Sequence, residues 1–353
     1  MSDKKDLRSL TYEDLNKFMT DIGEKSFRAS QVYDWLHAKK ADDIALMTNL
    51  SQKLKDRIGE DHAIFTVEPV RVLVSKIDGT RKYIHKLHDG NVIETVLLKY
   101  EHGYSVCISS QVGCRMGCRF CASTVDGLVR SLTAGEMAGQ LYSVEKDIGE
   151  RVGHIVVMGS GEPFDNYDAL TDFLDIVTDE RGANISGRNI TVSTCGIVPK
   201  IRELADRKYA ITLALSLHAV NDAKRQEIMP IAKAYPLSDV LDACRYYQDV
   251  TGRRITLEYS LIAGVNDTDE DIRGLAGIAS SLKCHVNLIP VNPIKERKWR
   301  ATDSKSASEL KNKLEKNNIN VTIRREMGRD ISASCGQLRR SYINENGLGD
   351  HDA

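Results

Sequence analysis

Apolar residues recur at helical spacing through the first sixty positions and at alternate positions over the next forty. Leu10 to Ile22, Phe27 to Lys39 (with Val32, Trp35 and Leu36 on one side) and Leu50 to Ile58 each read as helices, which makes 1–65 a small helical accessory domain. From Thr66 to Tyr100 the period falls to two. The turn His88-Asp89-Gly90-Asn91 between KYIHKL and VIETVLLKY is a hairpin signal, so 66–103 is expected to form a β-hairpin extension. From Tyr104 onward short apolar runs alternate with helical stretches: YSVCIS, HIVVMG, NITVST, ITLALSLH, RITLEYSLI, HVNLIPV and NVTIRRE. Such alternation means βαβ units on a parallel sheet. Six or seven units are too few for a closed eight-stranded barrel, so the fold class is α/β, with an open, partial β/α barrel over 104–343 as the first expectation and a doubly wound sheet as the second. Either arrangement puts a site at the carboxyl ends of the strands. Residues 344–353 read as a frayed tail.

Composition narrows the class. Of 353 residues, 41% are apolar and 28% charged, the profile of a globular protein. The N-terminus has no apolar run after its charges, and no stretch approaches the ~20 apolar residues of a membrane span, so a cytoplasmic protein with no membrane partner is expected. Eight cysteines, three of them within 114–121, suggest a metal site in a reducing compartment and not a disulfide framework. A net charge of −1 lends no support to nucleic-acid binding. Any such site must come from local clusters: Lys295, Arg297, Lys298 and Arg300, or Arg324, Arg325, Arg329, Arg339 and Arg340. Solvated surface is the competing reading of both.

Cys114, Cys118 and Cys121 stand at C-x3-C-x2-C spacing in a loop just past YSVCIS. Three thiolates so close can hold one 4Fe–4S cube and leave one iron open, because such a cube ordinarily takes four. An open iron is what S-adenosylmethionine (SAM) needs in order to chelate and accept an electron. A zinc site and a purely electron-transferring cluster are the alternatives. Downstream, Gly159-Ser160-Gly161-Glu162-Pro163 is a turn whose glycines let backbone approach a ligand and whose carboxylate can bind a cation, or else a plain left-handed turn. Ser193, Ser216-Leu217-His218 and Asn292 follow apolar strands, as a shared pocket rim or as helix caps. Cys335 sits among small residues before Gly336, and Cys107 near the step into the cluster loop. Glu94 shares a strand face with Val92, Val96 and Leu98, where it is a desolvated acid or base, or else an exposed edge residue.

Taken together, CISSQVGCRMGCRFCAST, GSGEPFDNYDAL, ITVSTCGIVP, SLHAVND, HVNLIPVNP and DISASCGQLR resemble the RlmN/Cfr family of radical-SAM RNA methyltransferases, and its RlmN branch more than its Cfr branch. The resemblance covers nearly the whole chain, including KSFRASQVYDWL in the helical module, which it marks as RNA-binding. It departs at Ser160, Cys195, Ser332 and Ser334. The resemblance implies a 4Fe–4S cluster on Cys114, Cys118 and Cys121, and SAM contacts at Gly161, Glu162, Ser193, Ser216, Leu217, His218 and Asn292. It implies that Cys335 is methylated by one SAM and activated by a second, that Cys107 resolves the protein–RNA adduct through a transient disulfide, and that Glu94 accepts a proton. Methylation of adenine carbon 2 in 23S rRNA, and in tRNA beside the anticodon, would follow, with a flavodoxin-like electron donor and a monomeric enzyme. Carbon 8 of the same adenine is the Cfr-like alternative. A non-catalytic iron–sulfur RNA-binding or redox-sensing protein is the alternative from another class.

Overall fold

The computed structural model describes residues 4–293, 299–331 and 342–343. Ten strands form one sheet: β1 (Val67–Val74), β2 (Arg81–Leu87), β3 (Val92–Tyr100), β4 (Gly103–Ile108), β5 (His154–Val157), β6 (Ile190–Thr194), β7 (Thr212–Ser216), β8 (Ile255–Leu261), β9 (Cys284–Pro290) and β10 (Val321–Ile323). They lie side by side in chain order from β1 to β10. The first four pair antiparallel, and from β4 to β10 every pairing is parallel. An order that never reverses excludes the doubly wound alternative, which must turn back at a switch point. Among the described residues the sheet does not close, with β10 at one edge and β1 at the other. An open, partial barrel results.

Ten α-helices are found among the described residues. The first three, α1 (Tyr12–Asp21), α2 (Phe27–Tyr33) and α3 (Gln52–Asp61), build the N-terminal module. The others make the crossovers: α4 (Ala134–Ile148), α5 (Tyr167–Thr178), α6 (Val198–Asp206), α7 (Asp222–Ile228), α8 (Leu237–Thr251), α9 (Asp269–Ser280) and α10 (Ser304–Lys316). Alternation along the parallel strands separates two environments. Ile190 and Val192, Leu213 and Leu215, and Ile255 and Leu257 enter the main apolar core with helical residues such as Leu141, Phe173 and Leu204. Their neighbours Ser193, Ser216, Glu258 and Ser260 line a cavity instead.

Two local elements differ from the sequence reading. The extension before the barrel has three strands, not a hairpin alone, and it continues the main sheet through β3 and β4. The added strand β1 is joined to β2 by a turn in which Ser75 N–H donates to Thr80 O (2.8 Å) and Gly79 takes φ +73°. The expected second helix ends as α2 and continues as a wider π turn over Asp34–Ala38. That turn carries His37, fully buried, whose Nδ1 lies 3.0 Å from the Tyr142 hydroxyl on α4. The helical module is thereby fastened to the barrel. Ser9 adds a second fastening by accepting from Gly135 N–H of α4 at 2.9 Å, and Gly135 is so close to Asp6 that a Cβ there would lie 2.1 Å from its Oδ2.

Candidate functional site

The cluster loop begins where β4 ends. Gln111–Gly113 pairs antiparallel with Leu128–Ser131, closing the loop that carries Cys114, Cys118 and Cys121. Gly113 has φ +80°, and a Cβ on it would lie 2.0 Å from Gly127 O, so only glycine permits the pairing that seats Cys114. The Thr124 hydroxyl donates to both Cys118 O and Cys121 O at 3.0 Å, fixing the second half of the loop. All three cysteines line one cavity of about 240 Å³. Burial pushes the Cys114 thiol up to about 12 and Cys118 well above its ordinary value, and the neighbouring thiols and Glu162 push the same way. Among the described residues no three His, Cys, Asp or Glu side chains are grouped as a single metal ion requires. A 4Fe–4S cube spreads its ligands over separate irons, so three thiols facing one cavity fit the cube and leave an iron toward the cavity.

The turn after β5 is sewn to the segment entering the cluster loop. Ser110 N–H and Gln111 N–H both donate to Ser160 O (2.8 and 3.1 Å), and Glu162 N–H donates to the Gln111 side-chain oxygen at 2.9 Å. Gly161 has φ +108°, and a Cβ there would lie 2.6 Å from Ser110 Oγ. Glu162 is buried. One carboxylate oxygen accepts from Phe164 N–H (3.1 Å) and the other from Cys195 N–H (2.8 Å). Burial raises its pKa, and these hydrogen bonds oppose the rise. A desolvated carboxylate beside the thiols is suited to receive an ammonium group.

Across the cavity, His218 follows β7 with a left-handed backbone, φ +53°. Its Nδ1 accepts from Ser260 N–H at 2.9 Å, and burial, aided by the Arg225 charge, holds its pKa down to about 3. A neutral ring whose Nδ1 is an acceptor carries its proton on Nε2. The ring stands edge-on to Phe120 of the cluster loop, with centroids 4.7 Å apart. Asn266 holds this backbone in place. Its amide donates to His218 O and Ser260 O, both at 2.7 Å, and its oxygen accepts from Ile262 N–H at 2.8 Å.

Ser193, Ser216 and Asn292 line the same cavity as the thiols, Gly161, Glu162 and His218. Leu217 does not contribute its side chain. Strand alternation turns it into the main core, fully buried, and its backbone N–H donates to Glu258 O of the neighbouring strand. Cys107 lies opposite Val96 in the sheet and opens onto a second cavity of about 390 Å³, which shares Ile289, Val291, Asn292 and Arg324 with the first. Arg324, Arg325 and Arg329 line that second cavity, so three of the five arginines of one basic cluster gather there. Glu94 is buried, and its carboxylate lies 3.2 Å from the fully buried Lys82 ammonium. Cys335, Ser332, Ser334, Lys295, Arg297, Lys298, Arg339, Arg340 and the tail 344–353 lie outside the described residues.

Sequence reasoning missed two cavity groups and one buried residue that supports the rim. Glu258 is buried, accepts from the Asn287 amide at 2.8 Å and has its pKa raised by burial. Its only sequence signal is a carboxylate inside the apolar strand RITLEYSLI. Ser260, two residues on, shares its face. Asn266 left a trace only as an Asn-Asp pair after a glycine turn.

Comparison with known proteins agrees with this geometry. Residues 5–64 match a model described as the ribosomal RNA large subunit methyltransferase N-terminal domain, and residues 108–276 match the radical SAM superfamily. The chain is 57% identical over 340 residues to a protein of Lachnospira eligens named "probable dual-specificity RNA methyltransferase RlmN", covering 96% of this chain and 97% of that one. A protein of the same name from Clostridium perfringens is 51% identical over 98% of this chain and 99% of its own. The crystal structure of a radical SAM methyltransferase from Sphaerobacter thermophilus superposes with a TM-score of 0.88 at 40% identity, covering 94% of this chain and 98% of that chain.

Proposed function

Since the chain belongs to the RlmN family of radical-SAM RNA methyltransferases, which use a 4Fe–4S cluster and SAM, we propose that it methylates carbon 2 of adenine in 23S rRNA and in tRNA. The observation that carries this reading is the convergence of Cys114, Cys118, Cys121, Glu162 and His218 on one cavity that adjoins a second lined by Cys107 and three arginines. When bound, the cluster supplies the single electron that opens the SAM sulfonium. Glu162 receives the SAM ammonium. His218 presents Nε2–H to the cofactor, and Ser193, Ser216, Asn292 and the backbone at Gly161 and Leu217 complete its seat. Glu258 and Asn287 add an acceptor and a donor on the inner face of β8 and β9.

Cys335 takes a methyl group from one SAM and, after a hydrogen atom is drawn from that methyl with a second SAM, joins it to adenine. Carbon 2 lies between two ring nitrogens and is too electron-poor to attack a methyl sulfonium, yet it accepts a carbon radical. Glu94 would take the proton lost from carbon 2 as the adduct gives one electron back to the bound cluster, and Cys107 would then attack the Cys335 sulfur, forming the disulfide while the carbon–sulfur bond breaks and the released carbon takes up a proton to become the methyl group. Arg324, Arg325 and Arg329 draw the RNA backbone to the second cavity, and a base splayed from its stack reaches the thiols. The enzyme acts in the cytoplasm as a monomer, with a flavodoxin-like electron donor.

The test has two readouts. Intact mass of the purified protein, with and without Cys335→Ala, should show one methyl group that the variant lacks. Nucleoside digestion of treated 23S rRNA and tRNA should give 2-methyladenosine. Only 8-methyladenosine would shift the assignment to the Cfr-like reaction, and RNA binding with SAM left uncleaved would favour a non-catalytic protein.

A further inference from the structure

Arg225 is a buried cation to which the reaction above gives no part. It lies near the end of α7, fully buried. Its Nη2 donates to Cys195 O at 2.7 Å and reaches Ser216 O at 3.4 Å, while Nε donates to Leu217 O at 3.3 Å. All three acceptors are neutral carbonyls. Nη1 is buried without a hydrogen-bond partner among the described residues. A guanidinium buried with no carboxylate at ion-pair distance among the described residues is costly, because the hydration it forgoes is not offset by a direct pair. The negative groups that act on it most are the thiols of Cys195 and Cys118, ahead of the Asp222 carboxylate on its own helix. Cys118 and Cys195 are among the groups whose charge acts on Arg225, and Arg225 in turn is the one neighbour that favours the Cys118 thiolate. Cys118, Cys195, Ile228 and Met229 belong to one packed cluster, and Arg119 N–H, in the cluster loop, donates to Ile228 O at 2.9 Å.

We infer that Arg225 is a positioning residue for the cluster end of the cavity, a fixed positive charge behind the Cys118 ligand that also holds Cys195 against Glu162. A 4Fe–4S cube in its 2+ state with three thiolates is a net monoanion and becomes a dianion on reduction, which gives the buried guanidinium its counter-charge. The same side chain grips the Cys195 carbonyl while the Cys195 N–H donates to Glu162 at 2.8 Å, so charge and carboxylate are held from opposite ends of one residue. The inference rests on the cluster reading above.

The experiment is a redox titration, followed by electron paramagnetic resonance, of full-length protein with reconstituted cluster and no SAM. It compares wild type, Arg225→Met, Arg225→Lys and the neighbouring control Lys224→Met. A unit charge lost from behind a ligand in the interior is worth about a tenfold change in the reduced-to-oxidised ratio. Arg225→Met should therefore be reduced about tenfold less readily, a midpoint about 59 mV lower for a one-electron couple. Arg225→Lys, which keeps the charge, should stay within about twofold, and the control should not move. An Arg225→Met protein with full iron and sulfide and an unshifted midpoint overturns the inference. If Arg225→Met fails to fold, Arg225→Lys decides. A folded Lys variant that loses the cube or titrates lower overturns it, because the charge is still present. Wild type that takes up no iron–sulfur cluster would instead defeat the cluster reading itself.

Discussion

Truncating Asn266 to alanine removes three hydrogen bonds from a position with no solvent exposure. The Ile262 N–H, now at 2.8 Å from the Asn266 oxygen, would be left as a buried unpaired donor, which costs about 1–3 kcal/mol. The two bonds to His218 O and Ser260 O, each 2.7 Å, are worth roughly 0.5–1.5 kcal/mol apiece. The expected loss is thus about 2–6 kcal/mol, a large share of the stability of an ordinary domain. The damage should also reach the cofactor, because His218 stands at φ +53°, a conformation that costs a non-glycine residue roughly 1–2 kcal/mol and needs its carbonyl held. Urea unfolding of the apo protein followed by circular dichroism measures the first effect. The KM for SAM, taken where the variant is still folded, measures the second and should rise while Cys114, Cys118 and Cys121 still bind iron. A stability loss below about 1 kcal/mol with an unchanged KM would mean that water replaces the amide, and would refute the argument.

Four further outcomes follow from the geometry. Cys118→Ala should fold but fail to retain iron after reconstitution, measured by metal analysis, since the cavity then offers two thiols where a cube needs three. Gly161→Ala should raise the KM for SAM about tenfold or more, because its Cβ would strike Ser110 Oγ and Gln111 at a φ that alanine resists, a strain of roughly 1–3 kcal/mol. SAM affinity should show no inflection near the free histidine value of about 6.5, as His218 is neutral there, and a calorimetric inflection at that pH would contradict the assignment. Fold stability should decline in acid for a related reason. His37, His85 and His218 are each held down to about 3 by burial, so the unfolded chain binds more protons than the native one between about 6.5 and 3. Their contribution is complete above the higher value and lost as pH falls, and thermal melts of His85→Gln should show a shallower decline.

Much of this was legible from the residues alone. The parallel strands announced themselves because a strand covered by helices on one face and facing a lined cavity on the other is a short apolar run between glycine turns. The three thiols and the Gly159–Pro163 turn were readable because their chemistry depends on local spacing. Groups that act across the sheet left no local trace. Asn266 reaches back 48 residues to His218, Arg225 reaches 30 to Cys195, and the ion pair of Lys82 and Glu94 needs the β2–β3 register, none of which periodicity encodes. The strand Val67–Val74 went unnoticed as a separate element because its exposed face carries Val70, Val72 and Val74, which blurs the alternation. Leu217 shows the reverse: it stands between two cavity groups in the chain, yet the pleat turns its side chain into the core.

Among the described residues the sheet stops at Val321–Ile323 without meeting Val67–Val74, and this has a bearing on what can be admitted. A closed ring accepts molecules that pass through its mouth, whereas a long polymer folded on itself offers no loose end to thread. With the ring left incomplete, a bulky strand can be laid in sideways, presenting one interior nucleotide to the thiols while everything on either side of it stays outside.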